Sequence, residues 1–169
     1  MEELIKLELG KGSNHSDIKV SPANLDLYGT DFYQWTQVQA KLLSQGAWTN
    51  LDIGNLVEEI ESLGKQQKQE LRNRLGILIG HLLKWEYQPE SRGKSCRATI
   101  WEQREQVIDI LQENPSLKPY LEEAISKGFR QGISLVLRET PLDLDVLPPE
   151  CLYTIAQILD QQFPVAIDL

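Results

Sequence analysis

The chain has 169 residues, of which 41% are hydrophobic and 25% charged, a composition that excludes collagen-like, low-complexity and wholly disordered proteins. Its length is that of one domain with at most a short appendage. With 25 acidic residues against 17 basic ones, the net charge of −8 repels phosphate backbones and disfavours nucleic acid as a partner.

The first 29 residues differ in pattern from the rest of the chain. Ile5, Leu7 and Leu9 alternate with charged residues, which indicates an extended segment because its period is two. A stretch rich in Gly, Ser and Asn follows, and then Ile18 and Val20 flank a lysine. We predict an N-terminal extended arm or small hairpin over residues 1–29, followed by a helical domain over residues 30–169.

Helical periodicity begins at residue 30. Thr30 or Asp31 can cap a first helix, which Gly46 would stop, and Asp52 can cap the next one. The second helix carries a dense apolar stripe at helical spacing, which predicts a face buried in the core. Its members are Ile53, Leu56, Val57, Ile60 and Leu63.

The apolar pattern after residue 70 keeps the phase of this stripe, since Ile60 and Leu71 lie about three helical turns apart. One long helix to about Tyr87 and two helices broken at Gly64 are both compatible with the sequence, and the shared phase favours one helix. Gln88-Pro89 then ends it, because proline disfavours helical geometry in the residue before it.

Two further amphipathic helices and a short one follow. Ser95 can cap a helix that closes at Asn114-Pro115, and Ser116 can cap another that ends at Thr140-Pro141. A last short helix holds Ile155, Ile158 and Leu159. The sequence therefore predicts an all-α fold, an antiparallel bundle of four main helices with a short C-terminal helix and the N-terminal arm outside it.

Several short motifs follow one another along the chain: Asp31-Phe-Tyr-Gln-Trp-Thr36, Asn55-Leu-Val-Glu-Glu-Ile-Glu-Ser-Leu-Gly64, His81-Leu-Leu-Lys-Trp85, Arg97-Ala-Thr-Ile100 with Glu102-Gln-Arg104, and Asn114-Pro-Ser-Leu-Lys-Pro-Tyr-Leu121. In this order they resemble an uncharacterised bacterial family, abundant in cyanobacteria, catalogued as domain of unknown function number twenty-nine. The resemblance covers roughly residues 27–163, implies an all-helical fold and carries no assigned activity. At Cys96 the family commonly has a tryptophan, which argues against a thiol chemistry shared by the family.

His81 is the first candidate for a functional residue, because it lies in an apolar helix segment beside Gly76 and Gly80, where a neighbouring helix or a ligand can approach closely. A metal site would pair His81 with a carboxylate, and Glu61 is the candidate because it borders the apolar stripe. The residue three before His81 is Leu78, so the Glu-x-x-His pair of di-iron bundles is missing. The alternative is a structural histidine that bonds to a carboxylate or to a tyrosine such as Tyr33.

Basic and aromatic residues cluster around the loop after the long helix. Arg92, Lys94 and Arg97 beside Trp101 could contact an anion or a nucleic acid, and a small-ligand site would draw on Tyr33, Arg97, Trp101 and Arg104. The alternative is that Arg97 and Arg104 form structural ion pairs with glutamates of the long helix.

No short catalytic motif for nucleophilic or phosphate chemistry occurs in the sequence, and none identifies a cofactor. Cys96 and Cys151 are too few for a disulfide scaffold and fit free thiols in a reducing cytoplasm. The first ten residues lack the apolar core of a signal peptide, and the longest apolar run is too short for a membrane span.

Three functional hypotheses remain open. The first is a cytoplasmic, non-enzymatic helical protein that acts by association, as a homo-oligomer or with a protein partner. The second is a metal- or small-ligand-binding enzyme centred on His81. The third is weak anion or nucleic-acid contact through Arg92, Lys94 and Arg97.

Overall fold

The computed structural model describes residues 27–164, and within this range the chain contains helices and no β-strand. The predicted all-α class is confirmed, whereas most of the predicted N-terminal arm lies outside the described residues. None of the helices in this range combines the length and the apolar character that a membrane span requires. The α-helices are α1 (Leu27–Thr30), α2 (Phe32–Ser44), α3 (Ile53–Tyr87), α4 (Lys94–Glu113), α5 (Leu121–Glu139) and α6 (Ile155–Leu159).

The chain divides into two compact units, with the boundary between Glu58 and Glu59 inside α3. In the first unit, the Asp31 side chain caps α2 by accepting a hydrogen bond from the Gln34 nitrogen at 2.9 Å. The buried Trp35 indole donates to the Asp52 carboxylate at 3.1 Å, and the Asp52 nitrogen donates to the Gln39 side chain at 2.9 Å. These bonds fix α2 to the start of α3.

The long α3 is continuous over 35 residues, which confirms the prediction of one helix rather than two. Gly64 lies inside it, and a Cβ atom at this position would meet nothing within 4 Å, so no neighbour requires a glycine there. The helix ends at Tyr87, immediately before Gln88-Pro89, as the sequence predicts.

Two predicted caps are wrong. The N-cap of α4 is Gly93, and Ser95 lies inside the first turn of the helix. Ser116 lies in a separate 3₁₀ helix, Pro115–Tyr120, and α5 begins only at Leu121. Gly93 lies two residues before Ser95 and takes the N-cap position of α4. Pro115 directly precedes Ser116 and begins the 3₁₀ helix, so α5 starts later than the sequence predicts.

In the second unit, α4 runs antiparallel to α3, because Cys96 near the start of α4 bonds to the His81 carbonyl and Gln103 bonds to Arg74 further back along α3. The helix α5 runs in the same direction as α3, since Gly128 packs on Gly76 and Gly132 on Gly80. The predicted antiparallel bundle of four main helices stays a prediction. The core of the unit includes Leu71, Leu75, Ile79 and Leu82 of α3, Ile100 and Val107 of α4, and Phe129 and Val136 of α5.

Candidate functional site

Four of the five members of the apolar stripe on the first half of α3 are exposed to solvent, and Leu56 is half-buried. Ile53 is 57% exposed, Val57 51%, Ile60 66% and Leu63 61%, whereas the same face of the helix is fully buried from Leu71 onward. The prediction that these residues face the core is therefore wrong. Helical periodicity identifies which face is apolar, but it carries no information on whether another element covers that face.

The spacing of this stripe is that of a short coiled-coil seam. Ile53 and Ile60 are seven residues apart, and Leu56 and Leu63 follow them by three residues each. Isoleucine at the first position and leucine at the fourth position of each heptad favour two-stranded pairing. The next seam position holds Gln67, so the α3 stripe, as we call residues 53–63, ends after two heptads.

His81 is half-buried in the second half of α3. Its Nδ1 atom is buried and has no hydrogen-bond partner in the described part of the chain. The alternative of a structural histidine stays a prediction. Burial lowers the pKa of His81, and the positive charge of Lys84 lowers it further, whereas Glu139 acts in the opposite direction. The neutral imidazole is therefore the favoured form of this side chain.

Glu61 and His81 are not brought together. They lie on the same helix, α3, twenty residues apart, which is a rise of about 30 Å along a regular helix. Glu61 is exposed and forms an ion pair with Lys65 at 3.3 Å. Within residues 27–164, no group of three or more His, Cys, Asp and Glu side chains is arranged to hold a metal ion. A metal shared by His81 and Glu61 would therefore have to join two chains.

Arg104 is wholly buried, although it is an arginine on an amphipathic helix. Its Nε atom donates to the Ile158 carbonyl at 2.7 Å, and its Nη2 atom donates to the Phe163 carbonyl at 2.9 Å. Burial lowers the pKa of Arg104, while the charges of Asp160 and Glu105 raise it. Arg104 therefore fastens the C-terminal segment to α4 through backbone carbonyls rather than through the predicted ion pair with a glutamate of the long helix.

The remaining predicted ligand residues do not share this environment. On α4, Arg97 is half-buried and Trp101 is 42% exposed, while Arg104 on the same helix is wholly buried. Tyr33 on α2 is 73% exposed. Neither Arg97 nor Lys94 takes part in an ion pair among the described residues. A shared site made of Tyr33, Arg97, Trp101 and Arg104 stays a prediction.

Both cysteines within the described range are free thiols. Cys96 is buried, and burial raises the pKa of its thiol, which bonds to the His81 carbonyl. Burial also raises the pKa of the Cys151 thiol. Both groups are therefore protonated at neutral pH, which disfavours them as nucleophiles.

An open pocket of about 380 Å³ lies in the second unit, between the C-terminal end of α3 and the segment around α6. Trp85, Tyr153 and Phe163 provide aromatic walls, and Glu86 and Arg92 provide opposite charges. Glu86 and Tyr153 are not among the functional residues predicted from the sequence. No spacing signal could have found them, because they are 67 residues apart in the chain and meet only through the fold.

The family described as Domain of unknown function DUF29 matches residues 27–164. The chain belongs to this family. No curated protein and no solved structure matches it.

The DUF29 match spans all six helices, and it includes both the α3 stripe and the pocket. Residues 1–26, which carry most of the predicted arm, lie outside it. The resemblance drawn from the sequence motifs is therefore confirmed.

Proposed function

We propose that this DUF29 protein acts by association with a second copy of itself, through the α3 stripe. The observation that carries the proposal is the exposure of four large apolar side chains along one helix face, each more than half accessible to water. Monomeric proteins expose single apolar residues freely, but an ordered row of them marks an interaction surface.

A second copy is the occupant that best fits the stripe. In a two-fold symmetric contact the same surface meets itself, so the partner needs a row of the same length and spacing, which the chain supplies. The alternation of isoleucine and leucine over two heptads supports a contact of two helices.

Residues 1–26 of the same chain are a weaker candidate for the partner that covers the α3 stripe. The α3 stripe overlaps the motif Asn55–Gly64 within the matched range, whereas residues 1–26 lie outside that range. If the family's domain makes the contact by itself, the residues of the contact lie within 27–164. The two free thiols, in addition, support the cytoplasmic location expected from the sequence.

The expected affinity is moderate. The stripe covers eleven residues, a rise of only about 15 Å, which is short for a coiled coil. We therefore expect a dissociation constant in the micromolar range. Because each copy carries a net charge of −8, association should strengthen when salt screens the repulsion between copies.

The test is sedimentation equilibrium of the full chain up to about 200 μM, above the expected dissociation constant. The variant Ile60→Gln/Leu63→Gln removes two seam side chains and keeps good helix formers at exposed positions. We expect dimerisation to weaken by about a hundredfold, since roughly 3 kcal/mol of apolar burial is lost. Matched controls are Leu144→Gln/Val146→Gln, which replace exposed apolar residues outside the stripe.

Three results would overturn the proposal. The first is a monomer at every concentration tested, and the second is equal weakening by the stripe and control variants. The third is a monomer that dimerises when residues 1–26 are removed, because that segment would then be the occupant of the stripe.

A further inference from the structure

The pocket beside α6 carries two opposite charges that remain available to a ligand. Glu86 Oε2 accepts a hydrogen bond from the Tyr153 hydroxyl at 2.7 Å, and its other carboxylate oxygen has no partner within residues 27–164. Tyr153 is buried, and both its burial and the Glu86 carboxylate raise the pKa of its hydroxyl. The hydroxyl therefore stays protonated and holds Glu86 in place as an acceptor.

Arg92 is fixed at the rim of the same pocket. Its Nε atom donates to the Trp85 carbonyl at 2.6 Å, and its guanidinium carbon lies 5.8 Å from the centre of the Trp85 ring. These contacts orient the guanidinium and leave its two Nη atoms without a partner in the described part of the chain. A guanidinium held in this way can bind a carboxylate through two parallel hydrogen bonds.

Glu86 and Arg92 are not ion-paired with each other in the described structure. Both groups are exposed, and a ligand with one charge would pair with only one of them. A ligand with a cationic end and an anionic end satisfies both. The pocket lining also includes Leu82, Leu152 and Phe163, which offer apolar contact to the body of a small molecule.

We propose that this pocket binds a small zwitterion, an amino acid or a related amino carboxylate with an apolar body. The ammonium group of the ligand lies at Glu86, in a pocket whose lining includes Tyr153 and Phe163. Its carboxylate lies at the free nitrogens of Arg92. The volume of about 380 Å³ lies within the range of small-molecule sites.

The test compares three probes of similar shape by isothermal titration calorimetry on the full chain. L-phenylalanine carries both charges, 2-phenylethylamine only the cation, and 3-phenylpropanoate only the anion. We expect L-phenylalanine to bind with a dissociation constant of about 1 mM or tighter, and each analogue at least about tenfold more weakly. Either analogue binding as well as L-phenylalanine would overturn the assignment of a zwitterion site.

Two variants locate the site. Glu86→Gln keeps an acceptor for the Tyr153 hydroxyl and removes the charge, and Arg92→Met keeps the apolar stem and removes the guanidinium. We expect each to weaken L-phenylalanine binding by about tenfold or more. The controls Glu90→Gln and Lys94→Met make the same charge changes at nearby exposed positions that do not line the pocket.

Arg92 is exposed, so we expect Arg92→Met to fold as the wild type does. This variant therefore tests the proposal even if Glu86→Gln disturbs the contact with Tyr153. The proposal would be overturned if the wild-type protein does not bind L-phenylalanine at a ligand concentration about ten times the expected dissociation constant. Equal affinity of Arg92→Met and Lys94→Met would overturn it as well. The stripe variant Ile60→Gln/Leu63→Gln should bind L-phenylalanine as the wild type does, which separates this site from self-association.

Discussion

Gly132 of α5 meets Gly80 of α3 backbone to backbone: a Cβ atom on Gly132 would lie 2.9 Å from the Gly80 nitrogen. One turn earlier, Gly128 makes the same kind of contact with Gly76. The sequence indicated that small residues beside His81 allow a close approach, and the element that approaches is α5. This contact sets how tightly the two parallel helices of the second unit pack.

We predict that Gly132→Ala destabilises the protein by about 1 to 3 kcal/mol, because the new methyl group meets backbone that cannot move aside. Gly64→Ala is the matched control within α3, where nothing lies within 4 Å. That change should stabilise the protein by about 0.5 to 1 kcal/mol, since alanine is the better helix former. Urea denaturation followed by circular dichroism measures both changes. Equal effects of the two substitutions would contradict the close contact.

We also predict that His81 makes the protein less stable as the pH falls. Burial lowers the pKa of His81 from 6.5, so below that pH the unfolded chain binds a proton that the folded chain does not. The stability from the neutral imidazole is therefore complete above about pH 7 and is lost progressively below it. Lys84 strengthens this effect, and the negative charge of Glu139 weakens it.

The measurement is urea denaturation of the wild type and of His81→Gln at about pH 7.5 and pH 5.5, where free carboxylates are still ionised. The wild type should lose more stability between these two values than the variant does. The other histidine, His15, is present in both proteins, so its titration cancels in the comparison. The same pH dependence in both proteins would show that His81 titrates alike in the folded and unfolded chains.

Much of the fold follows from the sequence, because local signals determine it. The common phase of Ile60 and Leu71 predicted a single α3, and Pro89 predicted its end. The exposure of the α3 stripe could not be predicted, since an apolar face looks the same in sequence whether its partner lies in the chain or in another molecule. In the same way, Trp48 and Trp101 are exposed whereas Trp35 is buried, and residue type alone does not distinguish them.

The functional groups were harder to predict, because their partners are remote in the chain or belong to the backbone. Glu86 meets Tyr153 only once α6 packs near the end of α3, and no short motif joins them. Arg104 lies beside Gln103 and Glu105, a polar setting that suggests an exposed position. Its acceptors are the carbonyls of Ile158 and Phe163, which leave no mark in the amino-acid sequence.

We predict that Arg104→Met releases the C-terminal segment. The substitution removes two hydrogen bonds and leaves the Ile158 and Phe163 carbonyls without a donor, at a cost of about 2 kcal/mol. Hydrogen exchange followed by mass spectrometry should show faster exchange across residues 155–164, with little change in α3. Arg97→Met is the control, because Arg97 is half-buried on the same helix and belongs to no described ion pair, and it should change stability by no more than about 0.5 kcal/mol.

Arg104→Met separates two possible roles of the buried guanidinium. If burying an arginine without a carboxylate costs more than its two hydrogen bonds return, the methionine variant will be as stable as the wild type. Unchanged exchange across residues 155–164 would then show that packing of Ile158, which is fully buried, holds the segment without help from Arg104. Faster exchange assigns that role to Arg104. The same release would weaken ligand binding in the pocket, because Phe163 forms one of its walls.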